Sequence, residues 1–362
     1  MTEYLRDHFW AAIAVFVLSL GVLGAGLKYL EQDAAKQNAL KAKDRSALSR
    51  INPFVTSPLP TPTPQLAKEY IYAGSRLLAV EDAGANVAPP ADLAVWRSST
   101  GVWWVLGGSG SQAVTFQWGM AGDVPIPGDF DSDGKTDFAI FRPSQGEWWI
   151  FKSSDSTYYA TNFGTSGDQP VVADYDGDGR TDIAVFRPDA QAGLGYWYVL
   201  KSSDSQVNSY QYGLNTDVPV PADYDGDGRA DLAVFRASNT MFFSYLSSQS
   251  TTISVGMGTS GTPVSADYDG DGKANFALLN GNSWVIMNAA HTQTSSTAWQ
   301  NSGDIPVPND YDGDGIVDIA VWRDSNGTWY IRQSTKLGTQ DELRQVQWGS
   351  SGDIPVPAFY RR

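Results

Sequence analysis

Residues 174–188, DYDGDGRTDIAVFRP, run an acidic, glycine-punctuated loop directly into an apolar stretch that ends in Arg-Pro. The apolar half of this phrase returns six times: DLAVWR at 92–97, DFAIFRP at 137–143, DIAVFRP at 182–188, DLAVFR at 231–236, NFALLN at 275–280 and DIAVWR at 318–323. An aromatic segment follows each time, such as VWWVL, EWWIF, YWYVL or TWYIR. A third segment ends in phrases such as FQWG or VQWG, and GDVPIP, GDIPVP or a variant closes the unit. Short apolar strands at this spacing, separated by turn residues, are the pattern of propeller blades.

Between consecutive units stands Asp-x-Asp-x-Asp-Gly-x-x-Asp. The first loop holds Asp129, Asp131, Asp133 and Asp137, the second Asp174, Asp176, Asp178 and Asp182, and the third Asp223, Asp225, Asp227 and Asp231. The fourth has Asp267, Asp269 and Asp271 but Asn275 at its ninth position; the fifth has Asp310, Asp312, Asp314 and Asp318. A hard cation takes six to eight oxygens, and carboxylates at alternate positions of a tight loop converge on one centre. Glycine at the sixth position permits the turn that brings the later ligands round. The seventh residue (Lys135, Arg180, Arg229, Lys273 or Ile316) is expected to offer its backbone carbonyl. Each loop leads into a strand phrase, which excludes the helix-flanked EF-hand. As ion-free Asp-Gly turns, these loops would hold like charges against one another. About five calcium sites are therefore expected, with the fourth the weakest. They absorb 19 of the 40 acidic residues, so most of the net charge of −15 is assigned to metal rather than to a cationic partner.

These repeats resemble the FG-GAP and VCBS-type repeats of integrin-α-like propellers and bacterial surface proteins. Phe163-Gly164, Gly167 and Pro170 match the FG…G…P skeleton, and Trp118-Gly119, Gly122 and Pro125 give a tryptophan version. The resemblance covers about 91–358 and implies a calcium-binding β-propeller acting in adhesion or recognition at a cell surface. The fifth unit departs most, with Asn275 for Asp, no strand-end arginine, and Gly261-Thr262 for Gly-Asp.

The expected fold is all-β: a six-bladed β-propeller over 91–362, preceded by a long N-terminal α-helix. The closing phrase GDIPVPAFYRR at 352–362 belongs beside the opening phrase at Ala91-Asp92, so the ring should close there. Phe359 and Arg361 occupy loop-aspartate positions at this seam, and no calcium is expected in it. Residues 67–90 contain EYIYAGSRLLAVE at 69–81, read as two strands about an Ala-Gly-Ser turn that cap the ring, supplement a blade or begin a seventh.

Residues 1–51 have another character. Phe9–Leu27, FWAAIAVFVLSLGVLGAGL, carries no charge. As a helix it spans about 28 Å, close to the hydrocarbon thickness of a bilayer, and is expected to be a transmembrane or assembly segment. A cleaved signal peptide is the rival reading: Gly24, Ala25 and Gly26 offer a cleavage site, but Met1–His8 sets Arg6 against Glu3 and Asp7. Residues 28–51 continue in helix formers with a narrow apolar stripe, giving a rod of about 65 Å in all. Type IV pilins are similar in outline, although Leu5 stands where a mature pilin is expected to carry glutamate. The five prolines of 52–66 make a semi-rigid spacer. Lys28, Lys36, Lys41, Lys43 and Arg45 after the apolar segment favour a cytoplasmic C-terminus, whereas the calcium-type loops suit the outside. The outside is the expected side, with the chain anchored at a bacterial cell surface by its N-terminal helix or assembled in an extracellular filament.

Several chemistries are excluded. The chain has no cysteine and only His8 and His291 as histidines, so thiolate metal sites and histidine-based nucleophilic catalysis are not expected. The acidic balance opposes nucleic-acid binding. Trp103, Trp148, Trp197, Trp284 and Trp329, with Phe242 in the fourth unit, are read as packing between blades rather than as sugar platforms. Arg97, Arg142, Arg187, Arg236 and Arg323 are expected to pair with nearby carboxylates or carbonyls, and His291 to be an exposed loop residue. No enzymatic activity is expected. Two functional readings remain: a membrane-anchored surface propeller that binds a protein or glycan ligand with calcium as a structural ion, or a pilin-like filament subunit decorated by propellers.

Overall fold

A computed structural model describes residues 68–73, 76–82 and 90–360, except 108–112, 293, 300 and 302. The expected N-terminal helix (1–51) and spacer (52–66) lie outside the described residues. The chain divides into Met1–Gln65 and Leu66–Arg362. No helix among the described residues is long and apolar enough to cross a membrane.

Six four-stranded antiparallel sheets follow one another, numbered here as blades 1 to 6. Blade 2 is representative: Val124–Pro125, Phe138–Arg142, Glu147–Phe151 and Tyr158–Asn162, each hydrogen-bonded to the next. Blade 3 begins at Gln169–Pro170, blade 4 at Val218–Pro219, blade 5 at Thr262–Pro263 and blade 6 at Ile305–Pro306. Blade 1 joins Asp353–Pro355 to Leu93–Arg97, Val102–Leu106 and Ala113–Gln117, which closes the ring with strands from far ends of the sequence. Lys68–Ala73 and Arg76–Asp82 pair antiparallel as a separate two-stranded sheet and add no seventh blade.

One expectation about the repeat changes. The closing phrase of each sequence unit pairs with the apolar strand after the metal loop, as in Val124↔Phe141 and Pro125↔Ile140. The acidic loops therefore lie inside blades 2 to 6, joining their first and second strands, rather than between blades. The cause is loop geometry: its tight turn returns the chain antiparallel onto itself, so its two flanks become partners.

The second strand of each blade is buried on both faces, and this is why its sequence is continuously apolar rather than alternating. In blade 2, Ile140 packs with Trp96 and Trp103 of blade 1, while Ala139 and Phe141 pack with Ile183 and Val185 of blade 3. Four further interblade cores repeat this arrangement round to Trp322 and Trp329 against Leu93 and Val95. The recurring Trp103, Trp148, Trp197, Trp284 and Trp329 are fully buried, as is Phe242, which makes them core and not ligand platforms. Their indole N–H groups find carbonyls, as in Trp148 Nε1 to Phe163 O at 2.7 Å; that of Trp284 is buried without a partner.

The strand-end arginines pair as expected. Arg236 Nε and Nη2 donate to the two oxygens of Asp217 at 2.9 and 2.7 Å, and its guanidinium lies over Phe243. Arg97–Asp353, Arg142–Asp123, Arg187–Asp168 and Arg323–Asp304 repeat the bidentate geometry. Blade 5 has neither partner, with Asn280 in place of the arginine and Gly261 in place of the aspartate.

Candidate metal centres

Each acidic loop is organised by its first aspartate. In the second loop, Asp174 Oδ1 accepts the N–H of Gly177 at 2.6 Å and Oδ2 that of Gly179 at 2.8 Å. This folds the chain round the carboxylate, and Gly179 takes the left-handed φ of 85° that the turn requires. The same pair of bonds recurs from Asp129, Asp223, Asp267 and Asp310.

The ninth residue brings the other wall. Asp182 is buried and accepts the N–H of Tyr175 on Oδ2 and that of Ser202 on Oδ1, at 2.9 and 2.7 Å. Asp137, Asp231 and Asp318 make the equivalent bonds. Burial pushes their carboxyls up, to about 6 for Asp137 and Asp182 and about 7 for Asp231 and Asp318, against the backbone donors that favour the charged form. Among the described residues no lysine or arginine forms an ion pair with any of these four.

In four loops the first, third and ninth aspartates converge, with oxygens all within 4.8 Å of one another: Asp129/Asp131/Asp137, Asp174/Asp176/Asp182, Asp223/Asp225/Asp231 and Asp310/Asp312/Asp318. In the fourth loop the convergent set is Asp267, Asp269 and Asp271. The fifth aspartates Asp133, Asp178, Asp227 and Asp314 stand beside their clusters, each accepting the N–H of the seventh residue: Lys135, Arg180, Arg229 or Ile316. Lys273 does the same to Asp271. The convergent oxygens of these clusters could hold a metal ion. An all-oxygen set of carboxylates fits a hard divalent cation, and Asp312 Oδ1 is buried in its cluster without a hydrogen-bond partner.

Sequence reasoning missed a second element of the site. The turn after the third strand presents two hydroxyls to the loop: Ser202 Oγ reaches Asp178 at 2.9 Å and Ser203 Oγ reaches Asp176 at 2.5 Å. Ser153-Ser154, Ser247-Ser248 and Ser334-Thr335 serve the first, third and fifth loops in the same way. The signal was a small hydroxyl pair five and six residues after the buried aromatic, repeated but chemically bland. The fourth loop meets Ala289-Ala290 there instead, and Asn275 Nδ2 donates to Asp269 Oδ2 at 3.1 Å. With an amide N–H aimed at a cluster oxygen and no hydroxyl pair, this loop offers the poorest geometry for a cation among the five. Exposed His291 lies nearby, its ring edge against Phe276.

The loops are also linked to one another. The carbonyl of Asp129 accepts the N–H of Thr181 in the next loop at 2.6 Å. Asp174 to Ala230, Asp223 to Ala274, Asp267 to Val317 and Asp310 to Ala91 continue the series, and Phe359 to Thr136 completes it at the seam. Phe359 thus keeps the backbone role of a first aspartate while lacking its carboxylate. Tyrosines at the second loop position brace four loops, as when Tyr175 Oη donates to Val171 O, and Tyr360 does so at the seam.

Residues 129–185, from the first loop into blade 3, match the FG-GAP-like repeat family. No curated protein matches the chain. Among solved structures, a lectin of Agrocybe aegerita specific for non-reducing terminal N-acetylglucosamine is 13% identical, with 78% of this chain and 97% of that one covered and a TM-score of 0.48. A catalytically inactive virginiamycin B lyase from Staphylococcus aureus is 9% identical over 73% of this chain and 87% of its own, with a TM-score of 0.44. Apo AztD from Citrobacter koseri is 8% identical over 78% and 92%, with a TM-score of 0.42.

Proposed function

We propose that this propeller, which carries an FG-GAP-like repeat, is a calcium-stiffened recognition module held at the outside of a cell by the apolar segment Phe9–Leu27. The convergence of three aspartates in each of four loops, the ninth residue of each loop buried, carries the calcium reading. Calcium would be ligated by the first, third, fifth and ninth aspartates, with the seventh carbonyl completing the oxygen set, and it would supply charge neutralisation rather than chemistry. The protein's part is to hold those oxygens in place through the Gly-loop N–H groups, the Ser202-type backbone donors and the hydroxyl pairs. Because each loop joins the first two strands of a blade and bonds to the next loop, an ion there stiffens both a blade and its junction. The role is structural, and the chain is proposed not to be an enzyme. An extracytoplasmic location agrees with a calcium supply suited to filling such sites.

The test is a melting experiment on full-length protein in detergent, after exhaustive chelation and then with calcium or magnesium restored. Calcium should raise Tm strongly and magnesium weakly, with four ions bound tightly per chain and a fifth weakly. At a free calcium of 100 times Kd, each filled site contributes about 2.7 kcal/mol. Equal melting of verified metal-free and calcium-loaded protein would reject the reading.

A further inference from the structure

We infer that the cleft between blades 2 and 3 binds an acidic saccharide through its carboxylate. The cleft has a volume of about 710 Å³, within the range of small-ligand sites (about 300–1,000 Å³). In a chain of net charge −15 it gathers three cations, Lys152, Arg180 and Lys201. Lys152 is partnered by Asp155 at 2.8 Å. Among the described residues, Arg180 and Lys201 have no ion-pair partner. Asp131, which also lines the cleft, is engaged in the first aspartate cluster, so two cations without an ion-pair partner are available to an anion from outside.

The combination is peculiar to this junction. Arg180 has counterparts in Lys135, Arg229 and Lys273, but Lys152 and Lys201 are matched in the other blades by Gly107, Leu246, Asn288 and Gln333. Only here do basic residues of the loop and of both flanking hairpins meet. Tyr159 is equally local: its place on the outer strand is taken by Val114, Asn208, Ile253, Ser295 and Arg344 in the other blades. Tyr159 is 38% exposed and lines the cleft.

The remaining lining selects the ligand class. Thr161 and Ser205 supply hydroxyls, that of Ser154 being donated to Asp131, and Phe130, Ile183 and Leu200 give a short apolar floor. A pyranose presents hydroxyls at its rim and C–H groups on its faces, which suits an aromatic ring beside polar side chains. A uronate adds the carboxylate that Arg180 and Lys201 lack. An extended acidic peptide would use the cations but leave Tyr159 and the apolar floor without a matching surface. This inference rests on the reading of the propeller as a recognition module, whose ligand it names by class.

The experiment is calorimetric titration of the full chain, with calcium present, using tetragalacturonate and its carboxyl-reduced neutral analogue. Tetragalacturonate should bind and the neutral sugar should not. Lys201→Ala should weaken binding about 10-fold, the worth of one charge-assisted contact. Tyr159→Ala should weaken it similarly, Tyr159→Phe should preserve it, and Lys336→Ala, which removes an equal charge elsewhere, should leave it unchanged. Melting curves on the same samples establish that each variant is folded and separately report the calcium effect. Absence of binding, equal binding of the neutral sugar, an equal loss in Lys336→Ala, or equal competition by polyglutamate would overturn the proposal. A calcium-dependent Tm together with absent sugar binding would leave the calcium-stiffened propeller standing and remove only the cleft assignment.

Discussion

Asp231 is fully buried, accepts two backbone N–H groups and has no cation of its own among the described residues. Its carboxyl is pushed up to about 7 because burial outweighs those donors. A carboxyl whose folded value exceeds its unfolded value stabilises the fold at low pH, and the contribution disappears as pH rises through the folded value. For Asp137, Asp182, Asp231 and Asp318 the window runs from the ordinary carboxylate range up to about 6 or 7. Chelated protein should therefore melt lower at about pH 8 than at about pH 5, through these groups. Calcium must displace the same protons, so the calcium-induced gain in Tm should grow over that range; calorimetry with and without chelator at both pH values checks this. A second residue-scale prediction concerns Arg236. Removing it as Arg236→Ala leaves the Asp217 carboxylate buried and should destabilise by about 3 kcal/mol in denaturant titration. Adding Asp217→Gly should recover part of that loss, because blade 5 already folds with Asn280 and Gly261 at the two positions.

At the scale of elements, the metal loop and the hairpin turn opposite form one unit. Ser202 and Ser203 orient Asp178 and Asp176 across the blade, so the loop alone does not carry the site. Partners that orient ligands typically matter 10- to 100-fold in metal affinity. Replacing both serines by alanine should thus weaken one calcium site about 10-fold and leave the others unchanged, as read by calcium titration. The fourth loop is a natural version of that variant, with Ala289-Ala290 opposite it and Asn275 donating to Asp269. Asn275→Asp combined with Ala289→Ser and Ala290→Ser should convert it into a fifth tight site, raising the count of tightly bound ions by one.

The propeller of the described residues is a closed series of six interblade cores and six loop-to-loop hydrogen bonds. Its closure depends on Asp353–Pro355 pairing with Leu93–Arg97, on Asp92 bridging Ala358, and on Tyr360 entering the core with Trp103. Deleting residues 352–362 should expose an unpaired strand edge and the faces of Trp96 and Trp103. The expected result is aggregation or a broad, non-cooperative melt in place of a single transition, measured by light scattering and calorimetry.

The repeat, the propeller architecture, the acidic loops and the departure of the fourth loop from the pattern were legible in the sequence because each rests on local chemistry. A tight Asp-Gly loop, an apolar strand and an arginine at a fixed offset are determined by residues a few positions apart. Even the pairing of Arg236 was foreseeable as a type, although its partner, nineteen residues earlier, was not. What tertiary structure alone decided is what depends on strand pairing and blade apposition. It moved the loop from between blades to within a blade, because the closing phrase pairs forward with the strand after the loop. It brought the Ser202-Ser203 turn onto Asp176 and Asp178 across more than twenty residues of chain. It also gathered Arg180, Lys201 and Tyr159 into one cleft, since side chains from adjacent sheets meet only after those sheets pack. Linear spacing reports which residues share a loop or a strand; the hydrogen-bonded register and the wedge between blades decide which of them face each other.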